Sequence, residues 1–348
     1  MIRTSRTWAA PLLLAALMSA CTSSGSADQD RAARTPAADA STSSADPTPS
    51  ANARAAEDPH PVSIPALIQK DIEGGDLRIT RELGRASSYV RNLVTYRSGD
   101  LTVSGLMNVP VGDGPFPVLV LAHGYIDPDV YTTGRGFERS QAYLASRGFV
   151  VLHVDYRNHA TSNDDPDNDL KLRLGYVEDV ISAVHAVRSS DLPFLDGDRI
   201  GILGRSMGGG VALSAAVVEP DLVDAIVVFA PISSDAADNF ERWINRPGRR
   251  ELARAVIDTY GAPSETPAFW RNASARAFFD RVSDPILIHH GTADESVPYR
   301  WSRETLAALK AAGADARLYT YPGEGHSFGA AYARSMRRTV DFFREHLD

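Results

Sequence analysis

Gly204-Arg205-Ser206-Met207-Gly208 sets one serine between two glycines, each two residues away, after the apolar run "RIGILG" and before "GGGVALSAAVVEP". A serine hydroxyl is a poor nucleophile until a base takes its proton. A tight strand-to-helix turn prepares it for that role, because the turn lifts Oγ clear of the sheet edge with the N–H of Met207 beside it. Residues two before and two after the serine must then be small, since side chains there would meet neighbouring backbone. Each further glycine at the helix start gives up about 1 kcal/mol of helical propensity, and the pattern predicts that Gly209 and Gly210 let the helix lie close to the strand. A phosphate-cradling loop is the other reading of such glycines, but no lysine follows them.

A nucleophilic serine needs a histidine and an orienting carboxylate elsewhere in the chain. Among nine histidines, His326 in "YPGEGHSFG" falls in a loop between a predicted strand and the last predicted helix, where an imidazole can reach another strand's edge. His289 and His290 sit inside the end of an apolar strand and read as packing or hydrogen-bonding residues. His346 lies near the end of a helix, a frequent place for a histidine to meet the helix dipole or solvent. Asp294 in "HHGTADESVP" directly follows a strand and is the candidate carboxylate, with Glu295 as the alternative. An oxyanion requires a second donor besides the Met207 N–H. "LAHGYID" supplies Tyr125, by its N–H or its phenol, with Gly124 allowing close approach and His123 bracing the loop.

These residues need a scaffold that brings strand ends together. "YVRNLVTYRSGDLTVSGLMNVP" reads as a hairpin around Ser98-Gly99-Asp100. "PVLVLAHG", "FVVLHVDYR", "RIGILG", "AIVVFAP", "PILIHHG" and "ARLYTYPG" are short strands, mostly continuous apolar runs of the kind buried on both faces. Helical patterns separate them, among them "LGYVEDVISAVHAVRSS", with Leu174, Val177, Ile181, Val184 and Val187 at helical spacing. Such alternation predicts a mainly parallel sheet flanked by helices. Residues 233–283 interrupt it with a helical, aromatic-bearing insertion, predicted to form a small cap whose Phe240, Trp243 and Trp270, with Phe269, wall a substrate pocket or form the cap's own core.

The order Ser206, Asp294, His326 is that of α/β-hydrolases. From about residue 90 onward, "HGY", "DYR" at 155–157, "GRSMGG", "HHGTADESVP" and "GEGHSF" occur in the order of the catalytic domain of the prolyl oligopeptidase family, which the chain resembles. The resemblance implies an α/β-hydrolase fold with Ser206 as nucleophile, His326 as general base and acid, Asp294 as orienting residue, and Tyr125 with Met207 as oxyanion donors. It implies a short peptide or acyl ester as substrate. Family peptidases carry a propeller before this domain, whereas here only a short segment precedes it. No acidic pair for gripping a peptide amino terminus is recognisable. The chain is therefore similar also to propeller-less esterases of the same core, and a non-catalytic binding lipoprotein is the reading from another class.

The first sixty residues differ in kind. Arg3 and Arg6, an apolar stretch from Trp8 to Met18 and small residues before Cys21 have the layout of a signal peptide over 1–20, and "LMSAC" resembles a lipobox in which Cys21 is lipidated. Residues 21–61, dominated by Ser, Thr, Ala, Asp and Pro, cannot bury enough apolar area to offset their ordering entropy, which predicts a disordered tether before a domain over 62–348. Together these predict an exported protein, anchored to the outer face of the cytoplasmic membrane or secreted, whose contact with a membrane is the lipid alone. Cys21 is the only cysteine, so no disulfide is expected. A net charge of −8 argues against nucleic acid as partner. No metal or organic cofactor is implied: "NDDPDNDL" at 163–170 has leucine where a calcium loop needs glycine and reads as a solvated acidic loop. Asn272-Ala273-Ser274 fits a glycosylation sequon with no obvious use.

Overall fold

The computed structural model describes residues 58–348, so the predicted signal peptide, Cys21 and nearly all of the predicted tether lie outside the described residues. The chain enters through a short helix α1 (Ile64–Gln69), capped by Ser63, whose Oγ accepts from Ala66 N at 3.1 Å. Three strands follow, β1 (Gly74–Arg85), β2 (Tyr89–Ser98) and β3 (Leu101–Pro110). Next come β4 (Phe116–Ala122), α2 (Glu138–Ala145), β5 (Val150–Val154), α3 (Gly175–Arg188) and β6 (Leu195–Arg205). After them stand α4 (Met207–Val218) and β7 (Ala225–Phe229). The stretch between β7 and β8 is the cap, with helices α5 (Ala236–Asn239), α6 (Arg250–Tyr260) and α7 (Pro267–Asn272). The chain closes with β8 (Ile286–Gly291), α8 (Tyr299–Ala311), β9 (Ala316–Tyr321) and α9 (Tyr332–Leu347).

Among the described residues the strands form one sheet in the order β1-β2-β3-β5-β4-β6-β7-β8-β9. Pairing is antiparallel from β1 to β5 and parallel from β5 to β9. Alternation along each strand divides the core in two. On β4, Val118, Val120 and Ala122 join the layer of α1, α3, α4 and α8, while Leu119 and Leu121 face the layer of α2 and α9. Both faces are covered, which is why the parallel strands read as unbroken apolar runs. This is the α/β-hydrolase fold, and the hairpin at Ser98-Gly99-Asp100 is β2 and β3.

Two elements have no counterpart in the sequence reading. α1 has a single turn and half, and β1 is an edge strand exposed along most of its length, so "GGDLRITRELGR" carries little apolar alternation to announce it. The last residues of the predicted tether also have defined surroundings. His60 meets Tyr260 and Phe269 of the cap edge-to-face, with ring centroids 5.4 and 5.1 Å apart.

Candidate active site

Ser206 stands between β6 and α4 with φ 55° and ψ −119°, a conformation that costs a non-glycine residue about 1–3 kcal/mol. The neighbouring glycines hold it there. A Cβ on Gly204 would strike the carbonyl oxygen of Gly208, and one on Gly208 would strike that of Ala122 at the end of β4. The two small positions are thus imposed by backbone meeting backbone. Gly209 and Gly210 serve a different contact from the expected one: added Cβ atoms would press on Pro231 and Ile232, in the loop after β7, at 2.8 and 2.6 Å. Met207 opens α4, so its N–H is among those a helix cannot satisfy internally.

Asp294 and His326 come from the loops after β8 and β9, and strand register brings these loops to the edge that carries Ser206. Thr292 N donates to Tyr321 O and Ala293 N to Glu324 O, both at 3.0 Å, which zips the two loops together. His326 Nδ1 then lies 2.8 Å from Asp294 Oδ2. Asp294 Oδ1 accepts from Ser296 N at 2.9 Å and Val297 N at 2.8 Å. Burial would push this carboxyl up, but hydrogen bonding by His290, His326 and the Val297 N–H outweighs it and holds the group well below the usual carboxylate range. Glu295, the alternative carboxylate, instead accepts from the His326 backbone N at 3.4 Å.

His326 and Ser206 line one cavity of about 470 Å³, within the roughly 300–1,000 Å³ usual for small-molecule sites. Among the described residues no hydrogen bond joins Ser206 Oγ to His326, and ligand-free catalytic sites commonly tighten only when substrate is bound. Tyr125 lies at the mouth, 40% exposed, with its phenol oxygen accepting from Arg249 Nη2 at 2.5 Å. The guanidiniums of Arg173 and Arg249 lie 4.5 and 5.0 Å from its ring centroid.

The other histidines separate clearly. His123 holds its ring nitrogens 2.6 Å from Gly124 O and 3.2 Å from Asp155 O, and burial lowers it to about 4, so as a neutral ring it donates to one of these carbonyls and braces the loop. His289 is likewise buried and lowered to about 3, between Tyr321 Oη and Thr339 Oγ1. His290 has more consequence than a packing residue: Nε2 lies 3.2 Å from Asp294 Oδ2 and Nδ1 lies 2.6 Å from Ser302 Oγ. It meets the same carboxylate oxygen as His326, a contact that its place in an apolar strand conceals.

Of the three predicted pocket aromatics, Phe240 and Trp243 line the cavity and Trp270 does not. Trp270 packs with Phe240, Val256 and Tyr260 in the cap's own core, 2% exposed, with Nε1 donating to Gly261 O at 3.1 Å. Phe269 is also turned inward, stacked on Tyr260 at 4.4 Å. The acidic stretch 163–170 is not simply solvated either. Asp165 pairs with Lys171 at 2.9 Å and Arg157 at 3.3 Å, and Asp169 pairs with Arg173 at 2.6 Å. Sequence reasoning also passed over Arg205, between Gly204 and the serine. Its Nη2 donates to His326 O at 3.2 Å and to Ser327 Oγ at 2.6 Å, tying the histidine loop to the serine turn. Only its position inside the glycine-serine motif marks it.

The model of the prolyl oligopeptidase family matches residues 135–348, more than half of the chain. The chain belongs to the prolyl oligopeptidase family. It is 28% identical over 208 residues to Esterase EstD of Thermotoga maritima, covering 56% of this chain and 48% of that one. It is 25% identical over 229 residues to the acylamino-acid-releasing enzyme of Rattus norvegicus, covering 63% of this chain and 30% of that one. The chain thus spans less than half the length of these relatives. Acetyl xylan esterase 1 from Thermoanaerobacterium shares the fold, with a TM-score of 0.61 at 18% identity over 82% of this chain and 92% of that one. The family thus brings together relatives named as an esterase and as an acylamino-acid-releasing enzyme.

Proposed function

We propose that this family member hydrolyses short acyl ester or peptide bonds through an acyl-enzyme, with Ser206 as nucleophile, His326 as general base and acid, and Asp294 as orienting residue. The observation that carries the reading is the 2.8 Å contact between His326 Nδ1 and Asp294 Oδ2 on the cavity that also holds Ser206. Asp294 keeps the proton of His326 on Nδ1 and leaves Nε2 to accept. Ser206 Oγ attacks the carbonyl carbon as its proton passes to Nε2, and the oxyanion forms against the Met207 N–H and Tyr125. With Arg249 donating to its phenol oxygen, the Tyr125 hydroxyl still has its own hydrogen to give. Nε2 returns the proton to the departing alcohol or amine. Water then repeats the sequence and frees the acid and Ser206.

Between the two bond types, the cavity lining favours the ester: it holds no aspartate or glutamate to fix a peptide's ammonium group. The deciding experiment sets kcat/KM for short-chain nitrophenyl esters against aminoacyl and prolyl nitroanilides, with Ser206→Ala as blank. Ester turnover without amide cleavage is expected, and side-chain-selective amide cleavage would make the protein a peptidase. A fluorophosphonate that labels the protein and not Ser206→Ala tests the nucleophile directly.

Export and lipid anchoring through Cys21 rest on the sequence of residues 1–21 alone. Labelling with a clickable fatty acid in an expressing cell, lost in Cys21→Ala, is the expected result, and equal labelling of both would overturn the anchor.

A further inference from the structure

The cavity beside Ser206 is lined by four arginines, Arg173, Arg205, Arg246 and Arg249, and by no acidic residue. The sorting is strong for a chain with 44 acidic against 36 basic residues. Two of the four have work inside the protein: Arg205 ties down the histidine loop, and Arg173 is held by Asp169 at 2.6 and 3.3 Å. Arg249 reaches the same Asp169 only at 3.7 Å, beyond hydrogen-bond distance, and donates its one side-chain hydrogen bond among the described residues to Tyr125. Arg246 is exposed on the cap, with no ion pair or side-chain hydrogen bond among the described residues. Among the described residues Asp169 is the one carboxylate in salt-bridge contact with these arginines, pairing with Arg173 and Arg249, and Arg246 is left over.

Backbone strain points the same way. Leu172 and Arg173 are consecutive non-glycine residues in the left-handed region, with φ 53° and 61°. Such conformations persist only where surrounding structure enforces them, and they gather at ligand sites. Here they place Arg173 against Tyr125 and Met207, whose Sδ lies 3.8 Å from Nη1. A cleft with one sign of charge and low-dielectric walls concentrates ions of the other sign, and a guanidinium matches carboxylate or phosphate geometry with paired hydrogen bonds.

We propose that the preferred substrate carries an anionic group, a carboxylate or a phosphate-like anion, received by Arg246 and Arg249. The apolar wall of Phe240, Trp243 and Ile244 would hold the chain between that anion and the scissile carbonyl. This deepens the reading of Ser206 as nucleophile and rests on it.

The test uses umbelliferyl esters of one chain length ending in a carboxylate, a phosphonate or a neutral methyl ester. The expected result is a kcat/KM for an anionic ester about tenfold above the neutral one, the scale of one charge-assisted hydrogen bond. Arg246→Glu abolishes that preference and Arg246→Lys keeps part of it. Arg91→Ala, an exposed charge removed on β2, leaves the preference unchanged. A preference for one anionic ester alone names the group. Equal or faster hydrolysis of the neutral ester overturns the proposal while leaving Ser206 standing, provided fluorophosphonate still labels it. A preference that survives Arg246→Glu overturns the assignment of the receptor. Absence of both labelling and turnover overturns the nucleophile and the anion site together.

Discussion

Two aspartates with buried carboxyls bracket strand β8, and their environments are opposite. Asp294, past the C-terminal end, meets two backbone N–H groups and two histidines, and the site holds it well below the usual carboxylate range despite burial. Asp284, before the N-terminal end, receives Val223 N at 3.2 Å on Oδ1, while Oδ2 has no partner among the described residues. Burial dominates there, with Asp221 and Asp224 adding repulsion, and pushes it up to about 6. One end of the sheet concentrates donors that keep a carboxylate charged. The other tolerates a half-satisfied carboxyl, consistent with ligands binding at the carboxyl ends of strands in open α/β sheets.

The sharpest way to break this comparison is at the serine. Ser206→Ala should lower kcat by about a millionfold, read as burst and steady-state ester hydrolysis, with circular dichroism unchanged. Asp294→Asn should cost about ten-thousandfold in kcat by presenting the wrong histidine tautomer, while Asp284→Asn should leave kcat within a factor of two. Comparable losses in the two asparagine variants would erase the distinction between the ends. Beside Ser206, Gly208→Ala should destabilise the fold by about 1–3 kcal/mol in denaturant titrations, because the added methyl meets the Ala122 carbonyl.

The smallest effect is the one whose sign tests the electrostatics. Between the ordinary carboxyl value of 3.8 and about 6, the folded protein keeps a proton on Asp284 that the unfolded chain releases, so this group's contribution to stability falls as pH rises through that window. Asp284→Asn should therefore stabilise by about 2 kcal/mol at pH 8 and by little at pH 4. Asp294 acts in the other direction: its contribution is present above the ordinary carboxyl value and is lost as pH falls towards its lowered one. Melting curves at these two pH values read the Asp284 slope, and a further curve below the ordinary carboxyl value reads that of Asp294.

How far the site was legible follows the range of the contacts that build it. Gly204 could be read as a turn residue because the clash that excludes a larger one, against Gly208, arises within one strand-turn-helix, whereas Gly208 was legible only through the motif, since its own clash is with Ala122 at the end of β4. His290 was not singled out although its partners Asp294 and Ser302 lie only four and twelve residues further on, because a histidine inside an apolar strand reads as packing or hydrogen-bonding without saying to what. Trp270 was assigned to the pocket wall because aromatic residues in a cap suit either a wall or a core, and no periodicity distinguishes the two over so short a helix. Edge strand β1 escaped because solvent covers most of it.

By itself the sequence determined the alternation of strands and helices, the strained serine turn, and the chain order of the serine, aspartate and histidine loops. These follow from local sterics and from apolar periodicity, which act within a dozen residues. Tertiary structure alone decided that Arg173, Arg205, Arg246 and Arg249, from three separate stretches of chain, converge on one cavity, and that Trp243 faces it while Trp270 turns away. Which face of an element meets which neighbour depends on how the whole core packs, and no local stretch of residues carries that information.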